Sequence, residues 1–300
     1  MKFDREAYKT GVTVADGGWS TQLQSRGLPA DVMAETANIT HPDLVVDLGK
    51  AYVAAGARFI TTNTFAANRL NLERRRVKQD VDELNRSGAA LARQAVGRGK
   101  ALVAGSIGPS GKILAVREAA AEELTSVFAE QAEALAAGGA DVIVLETFSE
   151  LAEILLALKA VKDATGLPVI ASMSFDSGPQ RTQTMMGAQA GDCAAALADA
   201  GADVVGCNCG AGIEHVLPTV VALRAASKLP LWVKPNAGMP DLEDGRAVYK
   251  QTPEEFAAHV PQLVEAGANI VGGCCGTGPE HIKRVAVLVG KRKAGKARSA

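Results

Sequence analysis

Apolar residues recur along this chain in short, β-branched runs separated by longer segments of helical period. Eight runs have strand length: G-V-T-V-A-D-G-G, R-F-I-T-T-N-T-F, A-L-V-A-G-S-I-G-P, D-V-I-V-L-E-T-F, P-V-I-A-S-M-S-F, D-V-V-G-C-N-C-G, L-W-V-K-P-N-A-G and N-I-V-G-G-C-C-G. Between them, segments such as Glu122 to Ala137, Glu150 to Ala164 and Pro253 to Ala266 carry the spacing of one helical face. A small phrase repeats four times, as A-A-G-A-R from Ala54, A-G-G-A-D from Ala137, D-A-G-A-D from Asp199 and E-A-G-A-N from Glu265. Each copy closes an Ala/Leu-rich segment and opens a β-branched run, as a helix ending in a C-terminal glycine does when it feeds a strand. Eight strand-helix units predict an α/β fold, a (β/α)8 TIM barrel forming one domain over residues 1–290, with a basic tail over 291–300. An open doubly wound sheet is the alternative, but D-G-G-W-S-T after the first run lacks the G-x-G-x-x-G spacing of its phosphate loop.

Composition narrows the function classes. With 47% hydrophobic and 22% charged residues in 300, the chain can bury a large core, and its net charge of −1 gives no pull toward nucleic acid or membrane. A small-molecule substrate is the expectation. The N-terminus M-K-F-D-R-E-A-Y-K-T lacks the apolar centre of a signal peptide, and no run is long enough to span a bilayer, which predicts a cytoplasmic protein. Five cysteines in a reducing compartment do not suggest a disulfide framework. The tail Lys291 to Arg298 reads as a frayed, solvated end or as a docking segment for an acidic partner.

In a barrel, reactive groups gather at the C-terminal ends of the strands. Those ends carry Asp16, Asn63, Ser106, Glu146, Ser174, Cys209, Asn236 and the adjacent Cys274 and Cys275. Neighbouring residues of an extended strand point to opposite faces, so the strand must break for Cys274 and Cys275 to act together, and Gly272, Gly273 and Gly276 allow that break. A vicinal redox pair or two idle thiols are alternatives to metal binding. Three thiolates at Cys209, Cys274 and Cys275 with one open position would make a catalytic zinc site. Cys207 and Cys193 read as core thiols, and His215, His259 and His281 as packing or surface residues. Glu146, ending an apolar run, is a clamp for an amine or else a salt-bridged carboxylate within the barrel. Asp16 with Gly17 and Gly18 is a loop whose backbone N–H groups could hold a carboxylate, or a plain turn. Together these groups would suit an amino acid bearing a thiol, activated for attack on an electrophilic carbon.

Through D-G-G-W-S-T, T-N-T-F, G-S-I-G-P-S-G, E-T-F-S-E, G-C-N-C-G, P-N-A-G-M-P and G-G-C-C-G-T-G-P-E-H the chain resembles the zinc-dependent homocysteine S-methyltransferases, above all the homocysteine domain of cobalamin-dependent methionine synthase. The resemblance implies Zn2+ on Cys209, Cys274 and Cys275, and methyl transfer to homocysteine to give methionine. It places the amino group on Glu146, the amino-acid end against Asp16, Gly17, Gly18 and Thr62, and the Asn236 amide oxygen at the fourth zinc position until substrate arrives. Two departures stand out: Ser20 in place of the family's usual glycine, and the loop S-G-P-Q-R-T-Q-T-M-M-G, whose Met185 and Met186 read as loop packing or as a docking surface. The motifs are nearer the cobalamin branch, yet the chain carries no D-x-H-x-x-G cobalamin motif. A separate corrinoid protein or free methylcobalamin is therefore the expected donor. S-methylmethionine, S-adenosylmethionine or betaine is the alternative, as is a thiol other than homocysteine as acceptor. A non-catalytic zinc or thiol sensor is the reading from another class.

Overall fold

Among the described residues, eight strands form where the β-branched runs predict them, and a two-stranded hairpin is added. The computed structural model describes residues 3–243 and 246–298, with β1 Thr13–Val14, β2 Phe59–Thr61, β3 Leu102–Ile107, β4 Val142–Phe148, β5 Val169–Met173, β6 Val204–Cys209 and β7 Leu231–Pro235. A short antiparallel hairpin of β8 (Asp241–Glu243) and β9 (Arg246–Val248) precedes β10 (Ile270–Val271). The hairpin was not expected, although Asp-Gly at 244–245 is a hairpin signal in the sequence.

All the other strands pair in parallel, in the order β1-β10-β7-β6-β5-β4-β3-β2. A parallel bridge between Ala15 and Phe59 joins β1 to β2 and closes the ring. This is the (β/α)8 TIM barrel. Alternation splits the apolar side chains into two cores. Phe59, Leu102, Val142, Val144, Ile170, Val204, Trp232 and Ile270 fill the barrel, and a larger set packs the strands against the helices. Phe59 and Trp232 meet edge to face across the interior at 5.6 Å. Tyr8, from the helix Arg5–Lys9, stacks on Phe59 at 5.2 Å and, with Phe3, plugs the N-terminal end. Only the C-terminal end is left for a ligand.

The repeated phrase does what its glycine implies: Gly56, Gly139, Gly201 and Gly267 have φ of 105°, 101°, 88° and 107°. The next alanine returns an N–H to the carbonyl five residues back in every copy, from Ala57 to Tyr52, Ala140 to Leu135, Ala202 to Leu197 and Ala268 to Leu263. The fifth position has a second task in three copies. Asp141 accepts from the Val103 N–H (2.8 Å), Asp203 from Val169 (2.9 Å) and Asn269 from Leu231 (3.0 Å), tying one strand's entry to its neighbour.

The expected helices appear as Ala121–Ala137 and Leu151–Thr165. The third is split into Pro253–Ala258 and Val260–Glu265, because Pro261 has no N–H with which to continue the ladder. The backbone of the basic tail continues the final helix, Pro279–Arg298. Among the described residues, no helix is long and apolar enough to cross a membrane.

Candidate active site at the barrel mouth

Cys209 is the last residue of β6 and has φ of 63°, a conformation rare outside glycine. That twist ends the alternation that would have aimed it at the helices with Cys207, which is buried in the outer core. Cys274 and Cys275 follow β10 on a turn pinned from several sides. The Cys274 N–H donates to the Pro235 carbonyl (2.8 Å), the Cys275 N–H to Asn236 Oδ1 (3.0 Å) and Thr277 Oγ1 to the Cys274 carbonyl (2.7 Å). Glycine is required at 272, where a Cβ would lie 2.6 Å from the Asp16 carbonyl oxygen, so the chain can cross β1 closely before it turns.

The sulfur atoms of Cys209, Cys274 and Cys275 lie within 4.8 Å of one another. A tetrahedral zinc about 2.3 Å from each sulfur would space them by about 3.8 Å, so the triad fits such an ion. Cys193 and Cys207 are buried elsewhere, and His281 has both ring nitrogens engaged, by the Gly278 N–H and the Gln251 carbonyl. Mutual hydrogen bonding dominates the protonation of the three thiols. The bond to Cys209, with burial, raises Cys274 well above the ordinary thiol range. At Cys209 the bond with Cys274 lowers the pKa, but the bond with Cys275 and burial outweigh it and push the thiol up to about 12. Thiols this reluctant to ionise alone would need a cation to hold them as thiolates.

Beside the triad is a cavity of about 220 Å³, lined by Gly17, Gly18, Thr62, Ser106, Glu146 and Lys234 among others. A cavity of this size, with a few polar groups converging on it, suits a small-molecule ligand. Glu146 is buried, and its Oε1 accepts from Ser106 Oγ at 2.5 Å. Burial raises its pKa, opposed by the Lys234 ammonium and by Ser106. Thr62 Oγ1 accepts from the Ser106 N–H (2.9 Å) and shares a hydrogen bond with Thr64 Oγ1 (2.5 Å).

Asp16 and Asn236 have partners that the sequence does not show. Asp16 lies behind the lining, fully buried, and protein groups donate to both its oxygens: Lys234 Nζ to Oδ1 (2.6 Å), and Trp19 Nε1 (3.0 Å), the Thr61 N–H (2.7 Å) and Thr61 Oγ1 (2.8 Å) to Oδ2. Asn236 Oδ1 accepts from the Cys275 N–H and its Nδ2 donates to the Gly210 carbonyl (2.8 Å), so it shapes the turn beside the triad, where its side chain also hydrogen-bonds Cys209. The Gly18 N–H is likewise consumed, by Thr277 O (3.0 Å) and Oγ1 (3.1 Å). In the loop after β5, Met185 and Met186 are 73% and 45% exposed, so packing does not account for them.

Sequence reasoning passed over Lys234 and Asn208. Lys234 is buried yet lines the cavity, two residues before Asn236 in the run already singled out. A lysine within an apolar strand was the available signal. Asn208 bridges three strands: Oδ1 accepts from the Thr147 N–H (2.9 Å) and Ser172 Oγ (2.7 Å), while Nδ2 donates to Thr147 Oγ1 (2.6 Å) and lies 3.9 Å from Cys274 Sγ.

The sequence profile of a family described as Homocysteine S-methyltransferase matches residues 13–289. Methionine synthase of Mycobacterium tuberculosis is 32% identical over 300 residues, covering 94% of this chain and 25% of that enzyme. Mouse betaine–homocysteine S-methyltransferase 1 is 29% identical over 297 residues, covering 92% of this chain and 71% of that enzyme. The chain thus spans about a quarter of the length of the methionine synthase it matches. Among solved structures, the metallated form of the Escherichia coli homocysteine methyltransferase MmuM superposes with a TM-score of 0.78 at 25% identity, covering 94% of this chain and 98% of that one.

Proposed function

Because the chain belongs to the homocysteine S-methyltransferase family, we propose that its barrel mouth binds zinc and carries a methyl group to the thiol of homocysteine, giving methionine. The observation that carries this reading is one cavity holding both the three-sulfur cluster and a buried carboxylate, Glu146. Cys209, Cys274 and Cys275 would hold the metal. When bound, zinc lowers the pKa of a fourth, substrate thiol so that it reacts as the thiolate.

The rest is the work of the chain. Glu146 receives the substrate ammonium on Oε2, since Ser106 already occupies Oε1. Thr62 and the Gly17–Gly18 turn form the wall beside it. Asn208 fixes the ends of β4, β5 and β6 around Cys274, and Asn236 holds the backbone of Cys275. Water is limited by the buried floor of the cavity, so these charge-assisted contacts act in a low dielectric where they are strongest. A zinc or thiol sensor would need the cysteines but not an acceptor carboxylate facing them, which favours the enzyme.

For the donor we propose methylcobalamin, free or on a separate corrinoid protein, because the methionine synthase match covers nearly the whole chain. A small-molecule donor is the second reading, favoured by the match to the betaine-dependent relative over a similar span. A cytoplasmic setting goes with five free cysteines. The test is methionine formation from homocysteine with methylcobalamin, betaine, S-methylmethionine and S-adenosylmethionine in parallel, with zinc measured on the same sample. About one zinc per chain, lost in Cys209→Ala, Cys274→Ala and Cys275→Ala, is expected. Activity unaffected by those substitutions would refute the reading.

A further inference from the structure

Glu146 and Lys234, of opposite sign, face the cavity with the buried Glu35 beside them, and of the two only Glu146 has been given a ligand. Lys234 is 2% exposed, on the floor of the barrel mouth, with its Nζ 5.3 Å from the centre of the Trp232 ring beneath it. An ammonium has three donors. Among the described residues Lys234 makes one hydrogen bond, to Asp16 Oδ1, and it is the one lysine or arginine in the cavity lining. A buried donor left without a partner costs free energy, so a lysine serving only as counter-ion to Asp16 would be a poor solution. Asp16 is already stabilised by three donors on its other oxygen.

The backbone groups that sequence suggested for a carboxylate are in part unavailable, because the Gly18 N–H is bound to Thr277. Lys234 remains charged despite its burial: desolvation works against the ammonium, and Asp16 and Glu146 more than offset it. We propose that Lys234 is the subsite for the substrate carboxylate, so that the pocket reads the zwitterion of a thiol amino acid, with ammonium on Glu146, carboxylate on Lys234 and thiol toward the cysteines. The charges agree with that assignment. Glu35 accepts from the Ala66 N–H (2.8 Å) and Asp16 is paired with Lys234, so a zwitterion finds Glu146 for its ammonium and Lys234 for its carboxylate while the Asp16–Lys234 pair stays intact.

This inference rests on the homocysteine reading, and a ligand lacking only the carboxylate isolates it. Calorimetry on the zinc-loaded protein would compare homocysteine with 3-aminopropane-1-thiol, which keeps the amine and the thiol. The wild type is expected to prefer homocysteine by about 10- to 100-fold, the size of one charge-assisted contact. Lys234→Met should abolish that preference. The double variant Asp16→Asn/Lys234→Met, which removes the pair and leaves the net charge of the pocket unchanged, should abolish it too and guards against a fold disturbed by an unpaired Asp16. A preference retained in the folded double variant, or equal losses toward both thiols, would overturn the subsite while leaving the homocysteine reading in place. Binding of neither thiol to the wild type would overturn both.

Discussion

Cys209 and Thr147 are the two non-glycine residues at the ends of barrel strands with left-handed backbone, at φ of 63° and 64°. Such conformations cost about 1–3 kcal/mol each and persist where the surroundings impose them. Here the imposition is visible: Asn208 holds both the N–H and the hydroxyl of Thr147, and Cys209 is the next residue along. Burial leaves another mark at this scale, since the carboxyls of Glu35, Glu146 and Glu153 are all raised, with desolvation as the largest cause. For Glu153, whose Oε1 accepts from the Ser110 N–H (2.8 Å) and Oγ (2.6 Å), the folded state binds its proton more tightly than the unfolded chain. Its contribution is present below the ordinary value of 4.5 and is lost as pH rises through the elevated folded value. Urea midpoints between pH 4.5 and neutrality should therefore fall more steeply in the wild type than in Glu153→Gln, which keeps the acceptor oxygen. Identical slopes would rule out Glu153 as a contributor.

At the scale of elements, the barrel is held in register by the fifth residue of a phrase whose first four close a helix. Asp203 receives the Val169 N–H at the entry of β5 and stands 3.8 Å from Lys162, a partly exposed pair of small worth. Its hydrogen bond to the backbone matters more, because removing it strands a donor between two strands. Asp203→Ala is expected to cost about 1–3 kcal/mol by denaturant unfolding, and Asp203→Asn, which can still accept, less than half of that. Equal losses would mean that the charge, and not the backbone bond, sets the effect. The split of the helix at Pro261 and the β8–β9 hairpin show the opposite case, in which local chemistry interrupts a pattern that periodicity alone would continue.

For the whole molecule, the barrel core and the metal cluster are separate. None of the three candidate zinc ligands belongs to the clusters that fill the barrel or pack the helices against it. Zinc fingers fold only on their metal, but a barrel with its own closed ring of parallel strands has no such need. Chelation should stop turnover while far-ultraviolet circular dichroism stays at its holo value. The melting temperature should drop only by the linkage of bound ligand to folding. Cooperative loss of helical signal on chelation would show that the site is structural.

Strand-length runs, helical periods and the glycine phrase are local, and they were legible because a helix or a strand is specified by residues a few positions apart. From them followed the eight units, the barrel and the one-sided gathering of Cys209, Glu146 and the Cys274–Cys275 pair. What the sequence could not supply was pairing across the ring. Asp16 looked like a ligand group because its partner lies 218 residues away in Lys234, and a carboxylate's free valences can be counted only when both ends of that separation are in place. The bonds that Asn236 and Gly18 make to the turn at 272–277 likewise join residues far apart in the chain. Composition and spacing therefore determined which chemical groups arrive at the barrel mouth, while the closure of the barrel decided which of them remain free to meet a substrate.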